Sequence, residues 1–183
     1  MKVIARLFAV VTSGVVLASI AGAIGAFRAR ERIVPIDQPD ADEVRLAAIF
    51  APLHFRSTAT SFRGGTLDCW YGGGVVDLRE AVLDPAGAHL DVRAVFGGGQ
   101  IVVPESWRVT TNVVGLGGIG DGRSKVQRSA AAPELVVEGF VAFGGFGVTS
   151  ELSEAQLHGL DEAVEGYRRR RGATVDQPVE GVM

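Results

Sequence analysis

Short runs of alternating apolar and polar residues fill the middle of the chain, and each run ends in a large apolar residue followed by glycine. Three clear copies lie at 70–74 (WYGGG), 95–99 (VFGGG) and 115–118 (GLGG), with weaker copies at 49–52 (IFAP) and 142–145 (AFGG). Alternation with a period of two is typical of β-strands, and glycine in such a setting marks a corner. Repetition of the whole unit is typical of a solenoid.

The large apolar residue before each glycine run serves as an anchor for aligning the copies. Successive anchors are separated by 21, 25, 20 and 27 residues (50 to 71, 96, 116 and 143). Residues two and four positions before an anchor share its strand face, so each trio is predicted to stack on its counterparts in one core. The trios are Leu46, Ala48 and Phe50; Leu67, Cys69 and Tyr71; Val92, Ala94 and Phe96; Asn112, Val114 and Leu116; Gly139, Val141 and Phe143.

This alignment has a direct structural consequence. The second and third trios should be buried throughout, including their anchors Tyr71 and Phe96. Truncation of Phe96 to alanine should then cost about 3–5 kcal/mol, as for other core aromatic residues.

The N-terminal segment 7–27 contains no charged residue. As a helix it would be ~31 Å long, about the thickness of the hydrocarbon core of a bilayer. A cleaved signal peptide is the alternative, because Lys2 and Arg6 precede the run and 21–23 (AGA) resembles a cleavage site. The apolar run continues to Phe27 and is followed at once by arginines, which favours an uncleaved anchor.

Two further patterns accompany this anchor. Arginines at 28, 30 and 32 outnumber the two basic residues upstream, which predicts that the domain after the anchor is cytoplasmic. Small residues recur at every fourth position, at Gly14, Ala18, Gly22 and Ala26. They would line one helix face and allow another helix to approach closely, unless they simply reflect how common small residues are in such segments.

The sequence predicts five parts. They are a transmembrane anchor (1–30), a linker rich in proline and acidic residues (31–44), a solenoid domain (45–150), an amphipathic helix (151–171) and a disordered tail (172–183). The fold class is therefore all-β, a single β-solenoid of about five glycine-punctuated coils with an N-terminal transmembrane helix and a C-terminal capping helix.

The C-terminal helix has its own sequence signals. Ser150 is placed to be its N-cap, and Gly172 is expected to end it. We expect the helix to cover one end of the solenoid, where an open core would otherwise meet solvent. Arginines 168–171 are interpreted as the favourable basic end of the helix, with contact to anionic lipid head groups as the alternative.

Composition restricts the possible functions. The chain of 183 residues has a net charge of −3, which gives no indication of nucleic-acid binding. Glycine is abundant, with 25 residues, but the 47% apolar content argues for a packed core rather than a disordered glycine-rich chain. A single cysteine, Cys69, excludes an intrachain disulfide and any multi-cysteine metal site.

No catalytic constellation is apparent in the sequence. The repeat carboxylates Asp68, Asp77, Asp91 and Asp121 occupy different columns, so they do not form the cross-rung acidic pair that sugar hydrolysis requires. Asp77 is instead interpreted as part of a solvated, salt-bridged turn with Arg79. Other chemistry-bearing residues are scattered: His54, His89 and His158; Cys69, taken as a buried inert thiol; Trp70, placed on an exposed face; and Trp107, placed at a corner. We therefore predict no catalytic, cofactor or metal site.

Several segments together resemble a known bacterial family. They are 61–65 (SFRGG), 71–73 (YGG), 77–81 (DLREA), 90–92 (LDV), 95–98 (VFGG) and 103–107 (VPESW). This combination resembles the LiaF-like C-terminal domain of bacterial cell-wall-active antibiotic response proteins, over about 48–148. The resemblance implies a toastrack-type β-solenoid attached to the membrane. It also implies a regulator of an envelope-stress sensor kinase rather than an enzyme, and it offers no catalytic residues.

The functional hypothesis from the sequence is a single-pass, membrane-anchored, non-enzymatic regulator or interaction domain in the bacterial envelope-stress or antibiotic response. Its expected partners are the membrane and a sensor kinase or another membrane protein, with neither nucleic acid nor a cofactor. Two alternatives remain open. One is a self-associating scaffold, and the other is an extracytoplasmic solenoid that binds carbohydrate or lipid.

Overall fold

The computed structural model of the chain describes residues 37–123 and 132–175. The proposed anchor at 1–30 and the end of the tail lie outside these residues.

Eight strands and one helix make up the described chain. They are β1 (Glu43–Ile49), β2 (Pro52–Arg56), β3 (Gly64–Trp70), β4 (Gly73–Asp77), β5 (Ala88–Val95), β6 (Gly98–Val102), β7 (Arg108–Asp121), β8 (Glu134–Thr149) and α1 (Glu154–Val175).

All of the strands pair in parallel within one nearly closed, solenoid-like sheet of order β1-β3-β5-β8-β6-β4-β2, with β7 added to β8. The sheet has two walls joined at a corner. The first wall contains β1, β3, β5 and the first half of β8, and the second contains β2, β4, β6 and the second half of β8. Each coil therefore contributes one strand segment to each wall, as the glycine-punctuated repeat predicts.

The order of coils in space differs from their order in the chain. Strand β8 lies between the β5–β6 coil and β7, so the last repeat in the sequence is inserted before the fourth. Strand β7 is consequently the last strand at the end of the stack opposite to β1 and β2. Repeat spacing cannot reveal this change in the order of the coils, because residues of similar size stack on one another in either order.

Two of the three predicted core columns, those two and four residues before the anchor, are confirmed in the first three coils. Leu46 pairs with Leu67 and Leu67 with Val92, while Ala48, Cys69, Ala94 and Val141 follow one another across the first wall. All seven side chains are buried. Stacking residues of similar size from coil to coil is a simple way to reach the close packing typical of protein interiors.

In β7 the predicted register is wrong by one residue. Val113 and Gly115 lie opposite Gly139 and Val141, so they occupy the core column that the alignment assigned to Asn112 and Val114. The side chains of Val114 and Leu116 are therefore exposed. A slip of one residue moves every side chain to the other face, and an irregularity between Leu116 and Gly117 accommodates it.

Glycine at the corner is required by the close approach of neighbouring coils. A Cβ atom on Gly97 would lie 2.3 Å from the carbonyl oxygen of Gly72, and one on Gly144 would lie 1.8 Å from that of Gly97. Any side chain at these positions would force adjacent coils apart. The repeated glycines thus set the separation of the backbones at the corner.

Helix α1 begins and ends later in the chain than the sequence indicates. Ser153, rather than Ser150, forms its N-cap: the Gln156 side-chain oxygen accepts hydrogen bonds from the Ser153 amide and hydroxyl, each at 2.9 Å. The helix continues past Gly172 to Val175, so the arginine cluster is not in its last turn. Reciprocal bonding between positions three apart is a capping box, which the Ser153/Gln156 spacing could have indicated.

The helix packs on the outer face of the second wall, which corrects the expectation that it caps an end of the solenoid. Leu160 is fully buried against Val75 of β4 and Val102 of β6. Gln156 hydrogen-bonds Gln100 of β6, and Gly159 lies over the His54 ring of β2. The outward-facing apolar residues of the wall explain this location, because packing the helix on them removes their apolar surface from water. Within the described ranges, no helix has the length and apolar character needed to cross a bilayer.

This packing generates a stability prediction. Leu160→Ala should lower the free energy of unfolding by about 2–5 kcal/mol, because it opens a cavity between helix and wall. His158→Ala, on the exposed helix surface, is the matched control and should change it by at most about 0.5 kcal/mol. Urea unfolding of the full chain in mild detergent, followed by the fluorescence of Trp70 and Trp107, measures both. Equal small effects would contradict the docking of α1.

Candidate functional site

The most distinctive surface is a row of stacked aromatic rings along the corner between the two walls. We call it the aromatic ridge; it consists of Phe50, Tyr71, Phe96 and Phe143. The three successive ring-centroid distances are 5.2, 5.2 and 4.8 Å, with interplanar angles of 12°, 21° and 8°. Each ring comes from a different coil, so the parallel register of the sheet produces the stack directly.

The ridge lies outside the core, which corrects the predicted burial of Tyr71 and Phe96. Phe96 is 37% exposed, and Tyr71 is half-buried. The cause is a backbone φ between +51° and +57° at all four residues. This left-handed conformation interrupts the strand alternation and turns the side chain outward at the point where a continuous strand would point it inward.

A left-handed conformation is unfavourable for a bulky residue by about 1–2 kcal/mol. Glycine is the usual solution at such corners, yet four coils carry an aromatic residue there. Stacking of the rings stabilises the fold by about 0.5–1.5 kcal/mol per ring pair, which offsets this cost. Strained backbone that carries exposed apolar side chains makes this surface the candidate site.

The apolar surface extends from the ridge onto the neighbouring outer face of the first wall. Leu116 and Val114 of β7 are 70% and 69% exposed, and Phe140 of β8 is partly exposed beside them. Pairing places Leu116 opposite Ala142, the residue before Phe143. The ridge and the exposed residues of β7 therefore form one continuous apolar surface.

Asp77 forms an ionic cluster under the helix. Its carboxylate accepts two 2.9 Å bonds from the Arg79 guanidinium and one of 3.2 Å from Arg56. Arg56 also reaches Asp161 of α1 at 3.4 Å. Asp77 is only 1% exposed, so the solvated turn predicted for it is wrong, although the salt bridge with Arg79 is confirmed.

Two opposing effects act on the pKa of Asp77. Burial by itself raises the pKa, but hydrogen bonds from Arg79 and the charges of Arg79 and Arg56 outweigh it and hold the pKa below its usual range. The arrangement keeps the carboxylate ionised and paired. It anchors the end of β4 and the helix to each other, and leaves no proton available for acid–base chemistry at neutral pH.

Asp68 shows the opposite behaviour on the outer face of the first wall. It is buried, and Arg93 of β5 pairs with it at 2.9 Å. Burial raises the pKa of the Asp68 carboxyl above its usual range, while the Arg93 charge lowers it only in part and the nearby charge of Asp91 adds to the rise.

One acidic pair was missed by the sequence alignment. Asp91 of β5 and Glu138 of β8 are direct register partners on the outer face of the first wall. Glu138 also meets the His89 ring, with 2.7 Å between Oε1 and Nε2. Glu138 lies five residues before its anchor, as Asp91 does, so the column was detectable. These groups lie on an open sheet face, and within the described residues no three His, Cys, Asp or Glu side chains form a metal-binding group.

The remaining candidates lie apart from one another. Cys69 is a buried core thiol, and burial raises its pKa to about 12, which makes it inert. Trp107 is buried at a corner, as predicted, and accepts a 3.0 Å bond from Arg123 at its carbonyl oxygen. Arg123 is itself buried and paired with Asp121.

An open cleft of about 320 Å³ lies between β2 and α1. Its walls include His54, Arg56, Val164 and Tyr167. Arg56 is already paired with Asp77 and Asp161. The cleft is thus an open groove in which the charge of Arg56 is already neutralised.

Comparison with known proteins gives no match, so the function is argued from the geometry. No protein-family model, curated protein or solved structure matches the chain. The apolar surface formed by the ridge and β7 is the feature on which a function can be argued.

The strained corner predicts an unusual order of substitutions at Phe96. Phe96→Gly should be more stable than Phe96→Ala by about 1 kcal/mol, because glycine alone adopts the left-handed conformation without penalty. Neither variant should show the 3–5 kcal/mol loss of a core truncation. Val95, in the adjoining strand, is the control, where alanine should be the more stable replacement. Urea unfolding measures the four variants, and the usual order at Phe96 would contradict the corner geometry.

The contrasting carboxylates predict opposite pH dependences. The folded-state pKa of Asp77 is lowered, so its ionisation adds stability above about pH 4 that is lost as the pH falls through the folded value. Asp77→Asn should cost about 1–3 kcal/mol near neutral pH and less near pH 3. Asp68 has a raised pKa, so its ionised carboxylate destabilises the folded state near neutral pH. The free energy of unfolding of Asp68→Asn, relative to that of wild type, should therefore be higher near neutral pH than near pH 3. Urea unfolding at both pH values tests this, and parallel trends would contradict it.

Proposed function

We propose that the chain is a membrane-anchored, non-enzymatic interaction domain in a bacterial envelope-stress or antibiotic response, and that it regulates a sensor kinase through the aromatic ridge. The carrying observation is the ridge itself, four stacked rings held exposed at strained corner positions. The LiaF-like motifs and the uncharged N-terminal segment supply the envelope context. In this proposal the full chain has a single membrane span, and a solenoid of about five coils presents the ridge.

The chemistry of the ridge favours a protein partner. Ring faces are engaged with one another within the stack, so the surface offered outward consists mainly of ring edges and aliphatic groups. A sugar stacks on an aromatic face, whereas an apolar helix or loop buries edges equally well. Aromatic residues in a contiguous apolar patch are typical of the central part of a protein interface.

The proposal predicts position-specific crosslinking in cells. A photoreactive phenylalanine analogue replacing Phe96 should capture a membrane-embedded signalling protein, and the yield should change under cell-wall antibiotic stress. The same analogue at Val82, which is exposed but remote from the ridge, is the matched control and should not capture it. Equal capture at both positions, or no membrane protein at Phe96, would contradict a partner site on the ridge.

The side of the membrane can be tested with a single engineered thiol. Because Cys69 is buried and inert, Val82→Cys would be the only reactive cysteine in the chain. We expect an impermeant maleimide to label it in lysed cells and to leave it unlabelled in intact cells, consistent with a cytoplasmic domain. Labelling in intact cells would favour the extracytoplasmic carbohydrate- or lipid-binding alternative.

A further inference from the structure

We propose that the apolar surface of the ridge and β7 binds an amphipathic helix of a partner protein, one that carries lysine or arginine along a border of its apolar face. The inference deepens the proposed function and rests on it in one respect, the use of the ridge as the partner site. Its basis is a pair of carboxylates, Asp91 and Glu138, that borders the apolar surface.

The outer face of the first wall forms a regular grid of side chains beside the ridge. Strands β5, β8 and β7 pair in register, so their outward residues lie in rows across the three strands. From the open face toward the corner, the rows are Asp91, Glu138 and Asn112; Arg93, Phe140 and Val114; Val95, Ala142 and Leu116. Phe96 and Phe143 of the ridge follow the last row. The face thus changes from acidic to apolar along each strand.

The acidic border consists of two carboxylates side by side on neighbouring strands. The Glu138 side chain is 47% exposed, and its partner is the His89 ring, which carries charge only when protonated. Within the part of the chain that the structure describes, neither Asp91 nor Glu138 is paired with an arginine or a lysine. Like charges directly opposite each other on paired strands are destabilising, so a cation from a partner would relieve this repulsion.

Arg93 is the cation of this grid, and its charge is already balanced. It pairs at 2.9 Å with Asp68 of β3, whose side chain is buried beside it. The Arg93–Asp68 pair is neutral as a unit. The two negative charges of Asp91 and Glu138 therefore remain at the border of the apolar surface.

The spacing of acidic and apolar positions suits an α-helix. Two residues along a strand advance by about 6.6 Å, which is the separation of Glu138 and Phe140 along β8. Side chains three or four positions apart on a helix are separated by about 5–6 Å. A helix with an apolar side chain over Phe140 can therefore place a basic side chain over Glu138. Recognition of an amphipathic helix commonly uses anchors at this spacing.

The same charges disfavour other apolar partners. An anionic lipid surface would be repelled by Asp91 and Glu138, and an acidic amphipathic helix would place like charges against them. A basic amphipathic helix satisfies the apolar residues and the carboxylates at once.

The test uses the purified full chain in nanodiscs of neutral lipid, with a photoreactive phenylalanine analogue replacing Phe96. The probe is a labelled amphipathic helical peptide of leucine and lysine, and the crosslinking yield is measured against peptide concentration. We expect saturable crosslinking that weakens as salt is added. A leucine–glutamate peptide of the same length should give little product.

Matched variants identify the groups responsible. Asp91→Asn combined with Glu138→Gln removes two charges with little change of shape and should weaken peptide binding about three- to tenfold. Glu154→Gln combined with Glu162→Gln makes the same change in net charge on the exposed surface of α1 and should leave binding unchanged. Val114→Ser combined with Leu116→Ser, at exposed apolar positions, should weaken binding by about tenfold or more.

Equal crosslinking of the lysine and glutamate peptides would overturn the proposal, as would equal effects of the two charge-removing pairs. Reaction of the Phe96 analogue with the lipid of anionic nanodiscs, in place of the peptide, would also overturn it and assign the surface to the membrane. In cells, the Asp91 and Glu138 substitutions should reduce capture of the signalling protein at Phe96. Unchanged capture would overturn this inference alone, whereas peptide binding without any capture in cells would overturn only the proposed function.

Discussion

The parallel, in-register stacking of successive coils is the constraint on which the rest of the structure depends. Once Leu67 lies beside Leu46 and Val92, every other position of the coil is placed beside its counterpart as well. The glycines at the corner permit this by allowing backbones to approach where a Cβ atom could not fit. Core, corner and surface rows therefore arise from one register.

The aromatic ridge is the surface consequence of that register. A single aromatic residue in the left-handed conformation would be an isolated strained position. Four of them, one per coil, become a stack because the coils repeat at the spacing that suits stacked rings. The strain is thus distributed along a surface that also stabilises itself through ring stacking.

The two walls have different outer faces. The second wall carries Val75 and Val102 outward and is covered by α1 through Leu160. The first wall carries charged rows, including Asp68 with Arg93 and Asp91 beside Glu138, and it becomes apolar toward the corner. The apolar part is continuous with β7, so partner binding at the ridge would also involve the exposed side chains of that strand.

Sequence alone determined the solenoid-like repeat, the corners and two of the three core columns of the first three coils, because alternation and glycine are local properties of the chain. It could not determine the side-chain direction at Phe96, since one left-handed φ reverses what alternation predicts. The insertion of β8 before β7, the one-residue slip in β7 and the location of α1 depend on which surfaces compete for burial. These features result from contacts between segments far apart in sequence, so only the tertiary structure determines them.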